Sequence, residues 1–79
     1  MTVTVLFFAS LREQVQQRSL ELSLEQPLTL RELATRLEQS YKGLSLSGSL
    51  CAINEHYAEP EVTVQAGDTV AFFPPVSGG

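Results

Sequence analysis

Apolar residues recur with a period of two near the amino terminus. Residues 2–8 alternate β-branched and apolar side chains, which predicts a strand. Residues 19–25 carry leucine at every second position, which predicts a strand with one face toward water. The polar residues 10–17 between them are long enough for one or two helical turns. We expect the two strands to pair antiparallel.

The period changes to that of an α-helix over residues 30–41. Thr29 can cap the amino end, and Glu32, three positions later, completes a capping box. Gly43 follows at a place where a helix can stop. The apolar face of this helix consists of Leu30, Leu33, Ala34, Leu37 and Tyr41.

Residues 50–54 and 69–73 predict further strands, and residues 55–60 predict a turn followed by a short extended piece. Pro74 and Pro75 end the last strand because neither can donate a backbone hydrogen bond. This order of elements predicts an α+β fold of the ubiquitin-like β-grasp type, a mixed sheet with one main helix packed across it. In such a fold the first and last strands often lie side by side. We expect a β-grasp domain over residues 1–75 and a flexible Gly-Gly tail over residues 76–79.

The alternation of the first and last strands gives the sheet two different faces. The face under the helix is expected to hold Val3, Val5, Phe7, Val70 and Phe72. The outer face then carries Leu6, Phe8, Ala71 and Phe73. An exposed apolar patch of this kind usually marks a surface that binds a partner. The alternative is that a loop covers it.

Composition narrows the classes of partner. The chain has 79 residues, 43 % of them hydrophobic, and a net charge of −4, so no basic stripe is present to bind nucleic acid. The single cysteine excludes an intramolecular disulfide. The apolar run at residues 3–9 is too short to span a membrane and has no cleavage-site pattern. We expect a cytoplasmic protein that binds neither nucleic acid nor membrane.

The usual sequence patterns of catalysis and metal binding are missing. No glycine-rich phosphate loop is present, and His56 and Cys51 stand alone, so we expect no metal site. Buried free cysteines are mostly inert, although a persulfide on Cys51 is an open alternative. Glu55, Glu59 and Glu61 fit a solvated acidic loop.

The carboxyl terminus is the strongest candidate for chemistry. Pro74 and Pro75 stiffen the chain as it leaves the last strand. Gly78 and Gly79 have no side chains, so they can enter a channel too narrow for other residues. The terminal carboxylate is ionised at neutral pH and is a poor electrophile until it is activated. The alternative is an unstructured terminus without function.

The same residues resemble a known family. Residues 67–79, GDTVAFFPPVSGG, closely resemble the ending of the small, sulfur-carrying subunits of molybdopterin synthase. Residues 5–9 with Arg12 and Glu13 are similar to the start of that family, and residues 52–54 to its middle strand. Ser77 stands where threonine is also common.

The resemblance implies a sulfur carrier that binds no cofactor itself. A ubiquitin-activating-like adenylyltransferase would use MgATP to adenylate Gly79, and a sulfurtransferase would supply the sulfur of a thiocarboxylate. The tail would then enter the large catalytic subunit of a heterotetrameric molybdopterin synthase and give sulfur to cyclic pyranopterin monophosphate. No activity is expected from the chain alone. The predicted partner-binding residues are Gly78, Ser77, Val76, Pro75, Pro74, Phe73, Phe8 and Leu6.

Three other functions remain open from the sequence. The first is a sulfur carrier for thiamine or tRNA thiolation, in which only the acceptor differs. The second is a ubiquitin-like modifier that joins Gly79 to lysines of target proteins. The third is a plain interaction domain, for which deletion of Gly78 and Gly79 would change nothing.

Overall fold

The structure, a computed structural model, describes residues 1–75 of the chain. Strands and helices follow one another in this part in the order β-α-β-α-β-β-β. They are β1 (Thr2–Phe7), α1 (Ala9–Val15), β2 (Ser19–Ser23), α2 (Leu30–Ser40), β3 (Leu50–Ile53), β4 (His56–Tyr57) and β5 (Thr69–Phe73).

The strands form one mixed sheet in the order β2-β1-β5-β3-β4. β1 runs parallel to β5, and the other neighbouring pairs are antiparallel. The predicted antiparallel pairing of the first two strands is therefore confirmed, and the first and last strands do lie side by side. With α2 packed across one face, the arrangement is the predicted ubiquitin-like β-grasp fold.

The core lies between the sheet and the two helices. The side chains that β1 and β5 direct toward it are at most 2 % exposed, and Phe7 stacks on Phe72 with ring centroids 6.2 Å apart. Full burial of a side chain of this size stabilises the fold by about 1.5–3 kcal/mol. From α2 the core receives Leu30, Leu33 and Leu37.

The capping box of α2 is present as predicted. The Thr29 hydroxyl accepts a hydrogen bond from the Glu32 backbone N–H at 3.1 Å, and Glu32 Oε1 accepts one from the Thr29 N–H at 2.9 Å. The helix ends at Ser40, one residue before the predicted end. Tyr41 leaves the helical conformation, and its ring packs edge-on against Phe7 at 6.5 Å between centroids. Tyr41 is thus the C-cap of the helix, and its N–H still donates to the Leu37 carbonyl at 2.9 Å.

Of two local predictions, one is confirmed and the other needs correction. The segment after β1, predicted from its polar residues as one or two helical turns, is the helix α1, and it buries Leu11 and Val15 in the core. The predicted strand 50–54 ends at Ile53, because Asn54 and Glu55 form the turn to β4 with φ of 50° and 71°. Asparagine tolerates this left-handed region better than most residues. None of the helices in residues 1–75 has the length and hydrophobicity needed to cross a membrane.

Candidate functional site

The face of the sheet away from α2 has an apolar end and a polar end. One row of neighbouring residues crosses four strands and consists of Leu6, Ala71, Ala52 and Tyr57. Two residues earlier on β1 and β5, the corresponding row consists of Glu21, Thr4 and Thr69. Adjacent strands place paired residues on the same face, so the polarity changes sharply along the strands.

Aromatic rings enclose the apolar end. Phe8 stacks on Phe73 with centroids 4.7 Å apart and ring planes 12° apart, and Tyr57 lies 6.2 Å from Phe73 on the other side. The two alanines of the row form a floor between these rings. We call this surface the aromatic patch and define it as Leu6, Phe8, Ala52, Tyr57, Ala71 and Phe73.

The aromatic patch is open to solvent in the part of the chain that the structure describes. Phe8 is 40 % exposed and Tyr57 is 75 % exposed, while Phe73 is half-buried between them. Exposed aromatic side chains are costly to leave in water, and rigid aromatic clusters of this kind dominate the energetics of many interfaces. Within residues 1–75, the alternative that a loop covers this face is therefore wrong.

The aromatic patch lies at the end of the sheet from which the chain continues toward its terminus. Phe73 is the last residue of β5, and Phe8 directly follows the parallel strand β1. Pro74, which is half-buried, and the exposed Pro75 come next. A partner that binds the aromatic patch would therefore also have the start of the tail within reach. The predicted site residues Val76, Ser77, Gly78 and Gly79 lie outside the described residues, as does the predicted tail at 76–79.

Sequence reasoning found three of the four large side chains of the aromatic patch. It missed Tyr57 because residues 55–60 were predicted only as a turn and an extended piece. The feature that would have located Tyr57 is the turn before β4. A two-residue turn at Asn54 and Glu55 fixes the register of β3 and β4, and that register sets Tyr57 opposite Ala52.

A hydrogen-bond network holds the turn beside the aromatic patch. Asn54 Nδ2 donates to Asp68 Oδ1 at 3.0 Å, and Asn54 Oδ1 accepts from the Thr69 N–H at 2.9 Å. The Asn54 N–H donates to the Thr69 carbonyl at 2.8 Å, and Asp68 Oδ2 accepts from the Gln65 N–H at 2.7 Å. These bonds fix the β3–β4 turn to the start of β5, so Glu55 has a defined position at the rim.

The other sequence candidates lie elsewhere. Cys51 pairs with Phe72 on the core side of the sheet and is half-buried, and this burial raises the pKa of its thiol. Such a thiol is less ionised at neutral pH than an exposed one, which makes it a poorer nucleophile. His56 is exposed on β4. Among residues 1–75 no three His, Cys, Asp or Glu side chains are grouped so that they could hold a metal ion.

Comparison with known proteins gives the chain a family. The model of the ThiS family matches residues 5–79. The molybdopterin synthase sulfur carrier subunit of Escherichia coli is 35 % identical over 80 residues, which cover 98 % of this chain and 99 % of that protein.

Solved structures agree with this assignment. A chain in the complex of subunits 1 and 2 of molybdopterin-converting factor from Helicobacter pylori is 27 % identical, with a TM-score of 0.68 and all of both chains covered. Small archaeal modifier protein 1 from Methanosarcina acetivorans is 26 % identical, with a TM-score of 0.76 over 99 % of this chain and 96 % of that one. The chain thus belongs to the ThiS family, and it resembles a molybdopterin synthase sulfur carrier subunit along almost its whole length.

Proposed function

We propose that this protein is the sulfur carrier subunit of a molybdopterin synthase. The observation that carries the proposal is the similarity to a sulfur carrier subunit over 98 % of the chain. The aromatic patch supports it, because a carrier has to bind a partner at the place where its tail begins.

In the proposed reaction the domain over residues 1–75 is a scaffold and the tail at 76–79 is the reactive part. An adenylyltransferase first joins the Gly79 carboxylate to AMP at the expense of MgATP, which turns a poor electrophile into an acyl donor. The persulfide of a sulfurtransferase then displaces AMP to give an acyl disulfide, and a thiol reductant cleaves its S–S bond to leave a thiocarboxylate at Gly79. This group gives its sulfur to cyclic pyranopterin monophosphate, and two loaded carriers complete one dithiolene.

The remaining site residues are proposed to bind partners. Leu6, Phe8 and Phe73 dock on the adenylyltransferase and on the large synthase subunit. The tail, from Pro74 to Gly78, is proposed to lead Gly79 into each active site. Docking holds the reactive end near its target, which replaces an encounter in solution by a positioned reaction. The compartment proposed for this chemistry is the cytoplasm.

The proposal is tested by the intact mass of the protein. Incubation with MgATP, a family adenylyltransferase and a sulfur source is expected to add the mass difference between sulfur and oxygen. A chain without Gly79 should show no gain, and Cys51→Ala should gain as the wild type does. A gain lost only in Cys51→Ala would show a persulfide instead and would refute the thiocarboxylate.

A second step identifies the acceptor. The loaded protein, mixed with the large subunit and cyclic pyranopterin monophosphate, is expected to lose its sulfur and to form the dithiolene. Transfer only to a thiamine or tRNA thiolation system, with this large subunit proven active on another carrier, would show that the chain serves a different acceptor.

Protein modification is a second candidate, favoured by the similarity to small archaeal modifier protein 1. That function predicts adducts in which Gly79 is joined to lysine side chains of other proteins. Digestion of cell extract and mass spectrometry would detect such branched peptides. Their dependence on Gly79, together with a failure to transfer sulfur, would favour modification over the carrier function.

A further inference from the structure

The charge around the aromatic patch is one-sided. Among the residues that line this depression, Glu55 carries the one carboxylate, and none of them is a lysine or an arginine. The five basic residues of the chain lie outside the strands: Arg12, Arg31 and Arg36 on the helices, Lys42 after α2 and Arg18 directly before β2. A partner that approaches this face therefore meets an apolar surface with a negative rim.

The carboxylate at the rim of the aromatic patch comes from the β3–β4 turn. Residues 54–68 carry four carboxylates and no lysine or arginine. Glu61 is paired with Arg31 at 2.9 Å, and Asp68 accepts hydrogen bonds from Asn54 and Gln65. In residues 1–75 Glu55 has no such partner, although it stands closest to the aromatic patch.

The position of Glu55 is defined by the backbone. It occupies the second position of the two-residue turn with φ of 71°, and the neighbouring Asn54 is bonded to β5 by both its backbone and its side chain. Two residues later, on β4, Tyr57 is 75 % exposed. A carboxylate and an exposed aromatic side chain thus line the same depression.

We propose that Glu55 and Tyr57 together select a partner protein that has a cationic side chain beside the apolar surface with which it contacts the aromatic patch. An arginine fits both, because its guanidinium can pair with a carboxylate and stack on an aromatic ring. A second copy of this chain is a poor occupant, because it would bring the same unpaired carboxylate and no cation to the face. The inference rests on the proposed function, in which the large synthase subunit is the partner.

The test compares two carboxylates on the same face of the sheet. Glu55→Gln and Glu21→Gln remove the same charge, but Glu21 lies on β2 in the polar row, away from the aromatic patch. Binding to the large subunit is measured by stopped-flow mixing over a range of salt concentrations. Glu55→Gln is expected to weaken affinity about two- to fivefold at low salt, with a smaller loss at high salt. Glu21→Gln is expected to bind as the wild type does.

A double-mutant cycle tests whether one cation contacts both residues. Tyr57→Leu keeps an apolar side chain but removes the ring face. If the same group binds Glu55 and Tyr57, the loss in the double variant should differ from the product of the single losses by about twofold or more. Multiplicative losses would overturn the shared contact.

The results of these binding experiments distinguish a failure of this inference from a failure of the proposed function. Wild-type protein that does not bind the large subunit would refute both. A second outcome is that the wild type binds and Phe73→Ala weakens binding, but Glu55→Gln and Glu21→Gln have the same affinity and salt dependence. This result would leave the proposed function standing and overturn the inference. Self-association of the wild type that Tyr57→Asp abolishes would identify a second copy as the occupant and would also overturn it.

Discussion

Phe72 and Phe73 are neighbours in sequence whose side chains are expected to have separate roles. They follow each other on β5 and so point to opposite faces of the sheet. Phe72 is fully buried and stacks on Phe7, whereas Phe73 is half-buried and stacks on Phe8 in the aromatic patch. The same substitution, phenylalanine to alanine, therefore tests the core at one position and the binding surface at the next.

The two substitutions are expected to change the free energies of folding and of binding by different amounts. Loss of a fully buried phenylalanine costs about 3–5 kcal/mol, which is a large fraction of the stability of about 4–12 kcal/mol expected for a domain of this size. Phe73→Ala loses a stacked pair worth about 0.5–1.5 kcal/mol and part of its burial, so we expect the domain to stay folded. At an interface, loss of a central aromatic anchor costs about 2 kcal/mol or more, which is about 30-fold in affinity.

Thermal denaturation and titration with the large synthase subunit measure both effects. We expect Phe72→Ala to lose about 3–5 kcal/mol of stability and Phe73→Ala to stay folded with affinity reduced about 30-fold. A folded Phe73→Ala protein that binds as tightly as the wild type would refute the assignment of the aromatic patch as the docking surface. A stable Phe72→Ala protein would contradict the division of β5 into a core side and a binding side.

Two further predictions concern the capping box and the free thiol. Thr29→Ala removes the hydroxyl that accepts a hydrogen bond from the Glu32 N–H, and it is expected to lower the free energy of unfolding by about 1 kcal/mol. Thr29→Ser keeps the hydroxyl and should keep the wild-type stability. Equal denaturation midpoints for all three proteins would show that the cap contributes nothing. Because burial raises the pKa of Cys51, its thiolate forms at a higher pH than that of an exposed cysteine. Alkylation of Cys51 by iodoacetamide at neutral pH should therefore be slower than alkylation of free cysteine, and its rate should increase as the pH rises. In denaturant the two rates should become equal. Faster alkylation of Cys51 in the native protein than of free cysteine would contradict this reasoning.

The regular elements were predictable because each depends on residues close together in sequence. The capping box at Thr29 and Glu32 marks the start of α2, and alternation marks β1 and β5. Errors occurred where a distant part of the fold decides the conformation. Asn54, predicted within a strand, forms the turn to β4 and is bonded to Asp68 and Thr69, and no local pattern indicates those contacts.

The candidate site was predictable only in part, for the same reason. Leu6, Phe8 and Phe73 could be placed on the outer face because a strand alternates its side chains. Tyr57 could not, since its place depends on the turn at Asn54, which is held by hydrogen bonds to Asp68 and Thr69, 14 and 15 residues later in the chain. The position of Glu55 depends on the same turn.

By itself, the sequence determined the class of fold, the inward side of each long strand and the motif at the carboxyl terminus. These follow from side-chain periodicity and from residue types such as proline and glycine, which act on their own backbone. Only the tertiary structure decided that Leu6, Ala71, Ala52 and Tyr57 form one row across four strands. The physical reason is that strand order and register arise from pairing between distant segments, and local sequence does not encode which strands meet.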